Sequence, residues 1–146
     1  KRTIREVIEQ KGRVVQRVEI DASVMDAVAI MNQHHIGSVL VCEREAWVGI
    51  FTERDYARKV VLRGLASKDT KVGDLMTQNV LTVSPAHSVD DCMNIMTNNH
   101  VRHLPVVSGG AIAGIISIGD AVKSVMEQQQ ATIDQLSGYI AGGMST

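Results

Sequence analysis

The chain contains an internal repeat with a period of 65 residues. Residues 18–60 align with residues 83–125 without a gap, and 13 of the 43 aligned positions are identical. In the first copy the identical positions are Val18, Ser23, Val24, Asp26, Ile30, Met31, His35, Val41, Ala46, Gly49, Ile50, Asp55 and Val60. Two copies of one supersecondary unit predict a pseudo-twofold pair with a cleft where the copies meet. Any site on one copy then has a candidate counterpart on the other.

Hydrophobic periodicity predicts the same order of elements in both copies: a strand, a helix, a hairpin of two strands, and a second helix. In the first copy we expect strands over 14–20, 38–42 and 47–52 and helices over 23–34 and 53–63. In the second copy we expect strands over 80–83, 104–107 and 112–117 and helices over 89–98 and from 119 to about 137. The predicted fold is therefore α+β, with two tandem β-α-β-β-α units related by pseudo-twofold symmetry.

The segments outside the two copies complete the predicted organisation. The chain is expected to comprise an N-terminal helix within residues 1–12, a first unit over 13–65, a connector over 66–79, a second unit over 80–127 and a helical extension with a tail over 128–146. The connector is predicted to hold a helical turn over 72–76. The glycine-rich end, residues 141–146, is expected to fray.

Composition narrows the class of protein. Hydrophobic residues make up 45% and charged residues 21% of the 146 positions, which is ordinary for a soluble globular protein. The net charge of −1, with both signs interspersed, argues against a nucleic-acid partner. No stretch approaches the ~20 apolar residues of a membrane span and no signal-peptide pattern appears, so the expected location is cytoplasmic, without a membrane partner. Cys42 and Cys92 are expected to be buried, reduced thiols.

Four hydroxyl residues are followed three positions later by an aspartate at the predicted start of a helix. The pairs are Ser23/Asp26, Thr52/Asp55, Ser88/Asp91 and Ser117/Asp120. This spacing resembles a capping box, and helix capping is the favoured interpretation of each pair taken singly. Thr52 and Ser117 differ from the others because they directly follow an apolar strand, which puts the backbone N–H groups of the helix at the rim of a sheet. A helix N-terminus favours an anion, and an aspartate there can accept hydrogen bonds from ribose hydroxyls. These two corners therefore form a mononucleotide pattern.

The repeat resembles the CBS domain, named after cystathionine β-synthase, and the two copies resemble a stand-alone tandem CBS pair, or Bateman module. The resemblance covers residues 12–126, most of the chain. It is carried by segments 21–31, 35–41 and 49–55 in the first copy, 74–77 between the copies, and 81–85, 102–107 and 114–120 in the second. It implies a regulatory module of signal transduction that binds AMP, ADP, ATP or NAD in clefts between the repeats.

The resemblance also implies roles for particular residues. The aspartates Asp55 and Asp120 would contact ribose, and Thr52 and Ser117 would contact ribose or phosphate. The remaining implied ligand-binding residues are Val18, Ile20, Thr82 and Val83 in the strands that enter each repeat, Ile36, Gly37, Ser38, Arg102, His103 and Pro105 at the hairpin strands, and Arg54 and Gly119 at the helix starts.

The two implied sites are not equivalent. Arg102-His103 aligns with Gly37-Ser38, and in relatives such as the gamma subunit of AMP-activated protein kinase a basic pair at this place contacts phosphate. We therefore expect Arg102 and His103 to bind phosphate near Asp55; the alternatives are a solvated cation and a partly buried imidazole. Arg54 would add a phosphate contact and its neighbour Glu53 would disfavour one, whereas Gly119, which aligns with Arg54, lets a ligand approach the backbone closely. Two sites of unequal affinity are predicted, one of which could suit a dinucleotide such as NAD.

No catalytic constellation is visible in the chain. Walker, nucleophile-elbow and zinc-protease motifs are absent, and the histidines are not spaced as a metal-ligand set. We expect no enzyme activity, no metal and no catalytic cofactor, but a homodimer and an effector protein that the sequence does not identify. The candidate dimer stripes, each of which could equally be core, are Val24/Val28/Met31, Val60/Val61, Val89/Met93/Met96 and Val122/Val125. A nucleotide-processing enzyme and a purely structural interaction module remain as alternatives.

Overall fold

The computed structural model describes residues 2–144, and the chain divides into two units. One unit is formed by Arg13–Thr82, and the other combines the N-terminal segment up to Gly12 with the chain from Val83 onwards. In chain order the elements are α1 (Ile4–Lys11), β1 (Arg17–Glu19), α2 (Val24–His34), β2 (Ser38–Glu43), β3 (Ala46–Thr52), α3 (Glu53–Asp55), a π-helix over Tyr56–Val61 that continues α3, α4 (Val72–Leu75), α5 (Val89–Asn99), β4 (His103–Ser108), β5 (Ala111–Ser117) and α6 (Ile118–Met144).

The first unit contains a three-stranded sheet in the order β1-β2-β3. Strand β1 runs parallel to β2, and β2 pairs antiparallel with β3 in a register that sets Ser38 opposite Thr52. The continuous apolar run of β2 is buried, as expected for a strand with neighbours on both sides. The core of this unit consists of Val18, Val24, Ala27, Met31, Val39, Val41, Phe51, Val60, Val72, Leu75 and Met76.

The second unit repeats this arrangement with a two-stranded sheet of β4 and β5. The strand predicted over residues 80–83 is wrong: among the described residues it is reduced to an isolated parallel bridge between Val83 and Val106. The Val83 N–H donates to the carbonyl of Pro105 at 3.0 Å, and the Val107 N–H donates to the carbonyl of Val83 at 2.8 Å. Val83 therefore pairs with the hairpin as Val18 of β1 does in the first unit, but the pairing does not extend to neighbouring residues.

Two prolines explain the shortened ladder. In the first unit the N–H groups of Leu40 and Ile20 donate to carbonyls across the β1–β2 pair, at 3.0 and 2.8 Å. The residues 65 positions later are Pro105 and Pro85, the chain's two prolines, and neither has an N–H to donate. The second copy therefore loses the two hydrogen bonds on either side of the bridge.

Helix α1 belongs to the second unit and packs in its core, as α4 does in the core of the first unit. Its first residue, Ile4, donates its N–H to the carbonyl of His87 at 2.8 Å, as Val72 of α4 does to the carbonyl of Ala22. His87 and Ala22 are themselves 65 positions apart. The core of the second unit is made of Ile4, Val7, Ile8, Val83, Val89, Cys92, Met96, Leu104, Val106, Ile116 and Ala121. A helix from outside the repeat therefore completes each core.

The recurring histidine of the repeat has a structural role in both units. His35 and His100 end helices α2 and α5 in the left-handed conformation, with φ of 53° and 54°. Histidine tolerates this conformation better than most non-glycine residues do. The identity of these two positions therefore reflects how the helices end.

Helix α6 is longer than predicted. It has 27 residues and continues through Met144, so Ala141–Met144 is helical where a fraying tail was expected; Ser145 and Thr146 lie outside the described residues. Within the described part of the chain, no helix combines the length and apolar character needed to cross a membrane.

The apolar stripes considered as dimer faces are mostly core. Val24, Met31, Val60, Val89 and Met96 are buried. Val28, Met93 and Val125 pack against the cores of their own units, whereas Val61 and Val122 are 56% and 42% exposed.

Candidate functional site

The Thr52–Asp55 corner joins β3 to α3 through a complete capping box. The Thr52 N–H donates to Asp55 Oδ2 at 3.0 Å, and the Asp55 N–H donates to Thr52 Oγ1 at 3.1 Å. The other carboxylate oxygen, Oδ1, accepts from the Thr77 hydroxyl at 3.0 Å and lies 2.9 Å from Lys59 Nζ. Both carboxylate oxygens of Asp55 therefore have partners inside the unit, and the side chain is only 8% exposed.

The Ser117–Asp120 corner has the same capping geometry but a different environment. The Ser117 N–H donates to Asp120 Oδ2 at 2.9 Å, and the Asp120 N–H donates to Ser117 Oγ at 3.1 Å. Lys11, the last residue of α1, donates to the same Oδ2 at 2.7 Å and to the carbonyl of Ile115 at 2.9 Å. The Asp120 side chain is 21% exposed, and its Oδ1 accepts no hydrogen bond from any described residue. This carboxylate therefore has an acceptor to offer a ligand.

The hairpin register brings a second predicted segment to each corner. Ser38 lies opposite Thr52, and His103 lies opposite Ser117. The N–H groups that follow these hydroxyl residues donate to the carbonyls of Gly37 at 3.0 Å and Arg102 at 2.8 Å. Segments predicted separately, on either side of each hairpin, are therefore neighbours within one unit.

The predicted site residues differ widely in exposure. Val18, Ser38, Val83 and Pro105 are buried; Ile20, Ile36, Gly37, Thr52, His103, Ser117 and Asp120 are half-buried; Arg54, Thr82, Arg102 and Gly119 are exposed. Arg102 and His103 share a unit with Asp120, and their expected approach to Asp55 stays a prediction. The buried backbone and side chains of the first group can shape a site, whereas the exposed cations can reach a ligand directly.

Three residues that contact the aspartates of the two corners, Lys59, Lys11 and Thr77, are not among the site residues predicted from the sequence. Lys59 lies four residues after Asp55 in the same helical segment, a spacing that indicates an ion pair. Lys11 and Thr77 carry no such signal, because they lie outside the aligned copies and are 109 and 22 residues from their aspartates.

His103 is uncharged at neutral pH. Burial, followed by the positive charges of Lys11 and Arg102, lowers the pKa of His103 to about 4 against the opposing effect of Asp120. A neutral imidazole has one N–H to donate. Lys11 and Arg102 are thus the cations of this region, and His103 adds a neutral donor.

Acidification is expected to destabilise the second unit through His103. Its pKa is near 4 when folded and about 6.5 when unfolded, so the contribution to stability is complete above pH 6.5 and is lost as the pH falls towards 4. Because the ring is partly exposed, we expect a contribution of about 2 kcal/mol to the free energy of unfolding. Urea unfolding at pH 7 and pH 4.5 should show a smaller acid loss for His103→Gln than for wild type. An equal acid loss in both proteins would contradict this assignment.

An open groove lies on the helical face of the first unit. Its volume is about 410 Å³, and it is lined by Val28, Met31, Asn32, His35, Ile36, Glu53 and Tyr56. Of the residues predicted to bind a ligand, only Ile36 contributes to this lining. The groove therefore borders the Thr52–Asp55 corner through Glu53 and Tyr56, but Thr52 and Asp55 themselves do not line it.

The cysteines and histidines do not form a metal centre in the described part of the chain, where no three His, Cys, Asp or Glu residues are grouped closely enough to hold an ion. Cys42 and Cys92 are buried free thiols, as predicted. Burial, with a smaller effect of Asp91, raises the pKa of Cys92 to about 11, so this thiol is a poor nucleophile at neutral pH.

Comparison with known proteins identifies the class of protein that this fold defines. The model of the CBS domain family matches residues 4–62 and 72–127. The chain therefore belongs to the CBS domain family and carries a tandem CBS pair, a regulatory module, which confirms the predicted fold and resemblance.

Among its relatives is the mitochondrial CBS domain-containing protein CBSX3 of Arabidopsis thaliana. The two are 40% identical over 97% of this chain and 73% of the relative. A solved protein with CBS domains from Burkholderia ambifaria MC40-6, proposed to act in signal transduction, is 45% identical with a TM-score of 0.83, over 87% of this chain and 96% of that one. A hexameric CBS-CP12 protein from bloom-forming cyanobacteria is 27% identical with a TM-score of 0.73, over 82% and 70% of the two chains.

Proposed function

We propose that the chain is a regulatory module that binds an adenine nucleotide of the AMP, ADP, ATP or NAD type, and that the Ser117–Asp120 corner holds the ribose of the more tightly bound one. The observation that carries this proposal is the partly exposed Asp120 carboxylate, whose Oδ1 accepts no hydrogen bond from the described residues. Ribose hydroxyls can donate hydrogen bonds to such an oxygen.

The charges around this corner suit a phosphorylated ligand. Lys11 contacts the aspartate directly, and Arg102 is an exposed cation beside His103. Two cations against one carboxylate leave a local positive charge for phosphate, and the neutral His103 adds a hydrogen-bond donor. Gly119, exposed in the first turn of α6, leaves the backbone accessible.

The Thr52–Asp55 corner is expected to bind more weakly. A ribose that reached Asp55 would have to replace the hydroxyl of Thr77 or the ammonium of Lys59, because both already occupy Oδ1. This difference supports the predicted inequality of the two sites, and the tighter one is proposed to lie in the second unit.

Calorimetry with AMP, ADP, ATP, NAD and adenosine tests the proposal. Asp120→Asn should weaken the best ligand about 10- to 100-fold, because a hydrogen bond to a charged group is removed from the complex. Asp91→Asn is the matched control, since Asp91 forms the same capping box with Ser88 at the start of α5 in the same unit. It should leave the affinity unchanged.

The same titrations separate the alternatives. All four hydroxyl–aspartate pairs cap helices, which favours a purely structural interaction module as the second candidate. Absence of binding by every nucleotide would support that candidate, and equal losses in Asp120→Asn and Asp91→Asn would remove the site assignment. Turnover of ATP or NAD by the pure protein would instead indicate an enzyme.

Assembly is the proposed route by which the module acts on an effector protein. The hexameric CBS-CP12 protein supports self-association of this chain, for which a homodimer is the simplest form. A ligand would then shift the equilibrium between two packings by its differential affinity for them. The proposed location is the cytoplasm, and the mitochondrial relative makes a mitochondrial compartment the alternative.

A further inference from the structure

The second half of α6 leaves the body of its unit. The family match ends at residue 127, and every residue from 128 to 140 is exposed. The large apolar side chains there are not covered: Ile133 is 53%, Leu136 57% and Ile140 58% exposed, and Met126 just before them is 62% exposed. A helical segment of this length with a glycine at position 138 is marginal by itself in water, so its apolar side needs a partner.

The exposed apolar residues lie along one seam with heptad spacing. If Met126 is position a, then Ile133 and Ile140 are also at a, and Val122, Gln129 and Leu136 are at d. Alternate spacings of four and three residues over nearly three heptads are typical of a coiled coil. The exposed side chains of this seam can pack against a second helix that has the same heptad spacing.

The charges of the segment favour a second copy of this chain as that helix. Asp134 is the sole charged residue from 128 to 140, and it falls at position b, on the outer side. From residue 128 onwards the flanking e and g positions hold Gln130, Thr132, Ser137 and Tyr139, all uncharged; nearer the unit, Lys123 at position e lies 4.0 Å from Glu127 of its own helix. Two identical helices therefore meet without like-charge repulsion, whereas a charged partner helix would find no complementary charge beside the seam.

We propose that the α6 helices of two copies of this chain pair in parallel and in register as a two-stranded coiled coil over residues 122–140. A β-branched isoleucine at a with leucine at d favours two parallel strands, and this arrangement is found at Ile133, Leu136 and Ile140. Gln129, the polar residue at d, would lie beside the same residue of the second copy. A polar pair inside an apolar seam fixes the register at some cost in stability.

A cysteine placed at position d tests the pairing and its direction. In a parallel pair, residue 136 of one chain lies beside residue 136 of the other, so full-length Leu136→Cys should form a disulfide-linked dimer with oxidised glutathione. Gln135→Cys, one residue away at position c, should link at least 10-fold more slowly. The chain's own Cys42 and Cys92 are buried and should not contribute. Equal rates, or no link from Leu136→Cys, would overturn the proposal.

A charge placed in the seam tests the affinity. Ile133→Asp should raise the dissociation constant of the dimer at least 10-fold in sedimentation equilibrium, whereas Ala131→Asp, at the outer position f, should leave it unchanged. Both residues lie outside the core, so both variants should keep the thermal unfolding midpoint of the units. If the two variants dissociate equally, or neither does, the seam is not the interface. Neither outcome depends on whether the chain binds a nucleotide.

Discussion

Asp55→Ala is expected to lower the free energy of unfolding by about 2–4 kcal/mol. The substitution removes the acceptor for the Thr52 N–H, the Thr77 hydroxyl and the Lys59 ammonium in one step. The Asp55 side chain is only 8% exposed, so water replaces these interactions poorly, although Lys59, at 30% exposure, can turn partly towards solvent. Urea denaturation of the full chain measures the loss.

Asp120→Ala is the matched control, because Asp120 occupies the same position in the second copy of the repeat. Its partners are the Ser117 N–H and Lys11, and both side chains of this ion pair are more exposed than their counterparts at Asp55. Lys11 can return to water when the carboxylate is removed, so the loss should be about 1 kcal/mol, close to that of a helix cap alone. Equal losses in the two variants would show that the corners are energetically equivalent.

This difference decides which aspartate is informative about ligands. An Asp55 variant that failed to bind a nucleotide would also be a destabilised protein, so the failure would not assign a contact. Asp120 is more exposed than Asp55 and is expected to contribute less to stability, so its loss should report on binding more directly. Two residues that the repeat makes equivalent have therefore diverged, one towards holding its unit together and one towards an exposed acceptor.

The sequence predicted those parts of the fold that depend on local pattern. Helix α2, the two hairpins and the start of α6 follow from hydrophobic periodicity and from the hydroxyl residues that cap the helices. The strand over 80–83 failed because its ladder needs N–H groups at positions 85 and 105, which are both proline, and the pairing that makes position 105 matter is evident only in the tertiary structure. The end of α6 failed because glycines in a helix lower its propensity without stopping it.

Most residues of the candidate site that were predicted from the sequence lie within the two aligned copies of the repeat. Asp55 and Asp120 stand out because the copies agree there, and the hairpin register then explains why Gly37 and Arg102 lie beside them. The contacts that make the corners unequal come from α1 and from the connector, which have no place in the alignment. Only a tertiary structure brings Lys11 to Asp120 and Thr77 to Asp55.

Gly49→Ala is expected to cost about 3 kcal/mol of unfolding free energy, because the glycine of β3 lies against the backbone of the connector. A Cβ at this position would lie 2.7 Å from the carbonyl oxygen of Thr77 and 2.8 Å from the sulfur of Met76. Thr77 cannot easily withdraw, since its backbone exchanges two hydrogen bonds with Ile50, at 3.0 and 2.8 Å. Thermal and urea unfolding of the purified variant measure the cost.

Gly114→Ala is the matched control, because Gly114 occupies the position of Gly49 in the second copy of the repeat. A Cβ there would meet the Cδ1 atom of Ile8, the far end of a flexible side chain of α1, and not a backbone atom. Because Ile8 can change its rotamer, we expect a loss of about 1 kcal/mol or less. A loss at Gly114 as large as that at Gly49 would contradict the explanation. In each unit the glycine makes room for a segment from outside the repeat, and the rigidity of that segment, which alignment does not reveal, decides how much the glycine matters.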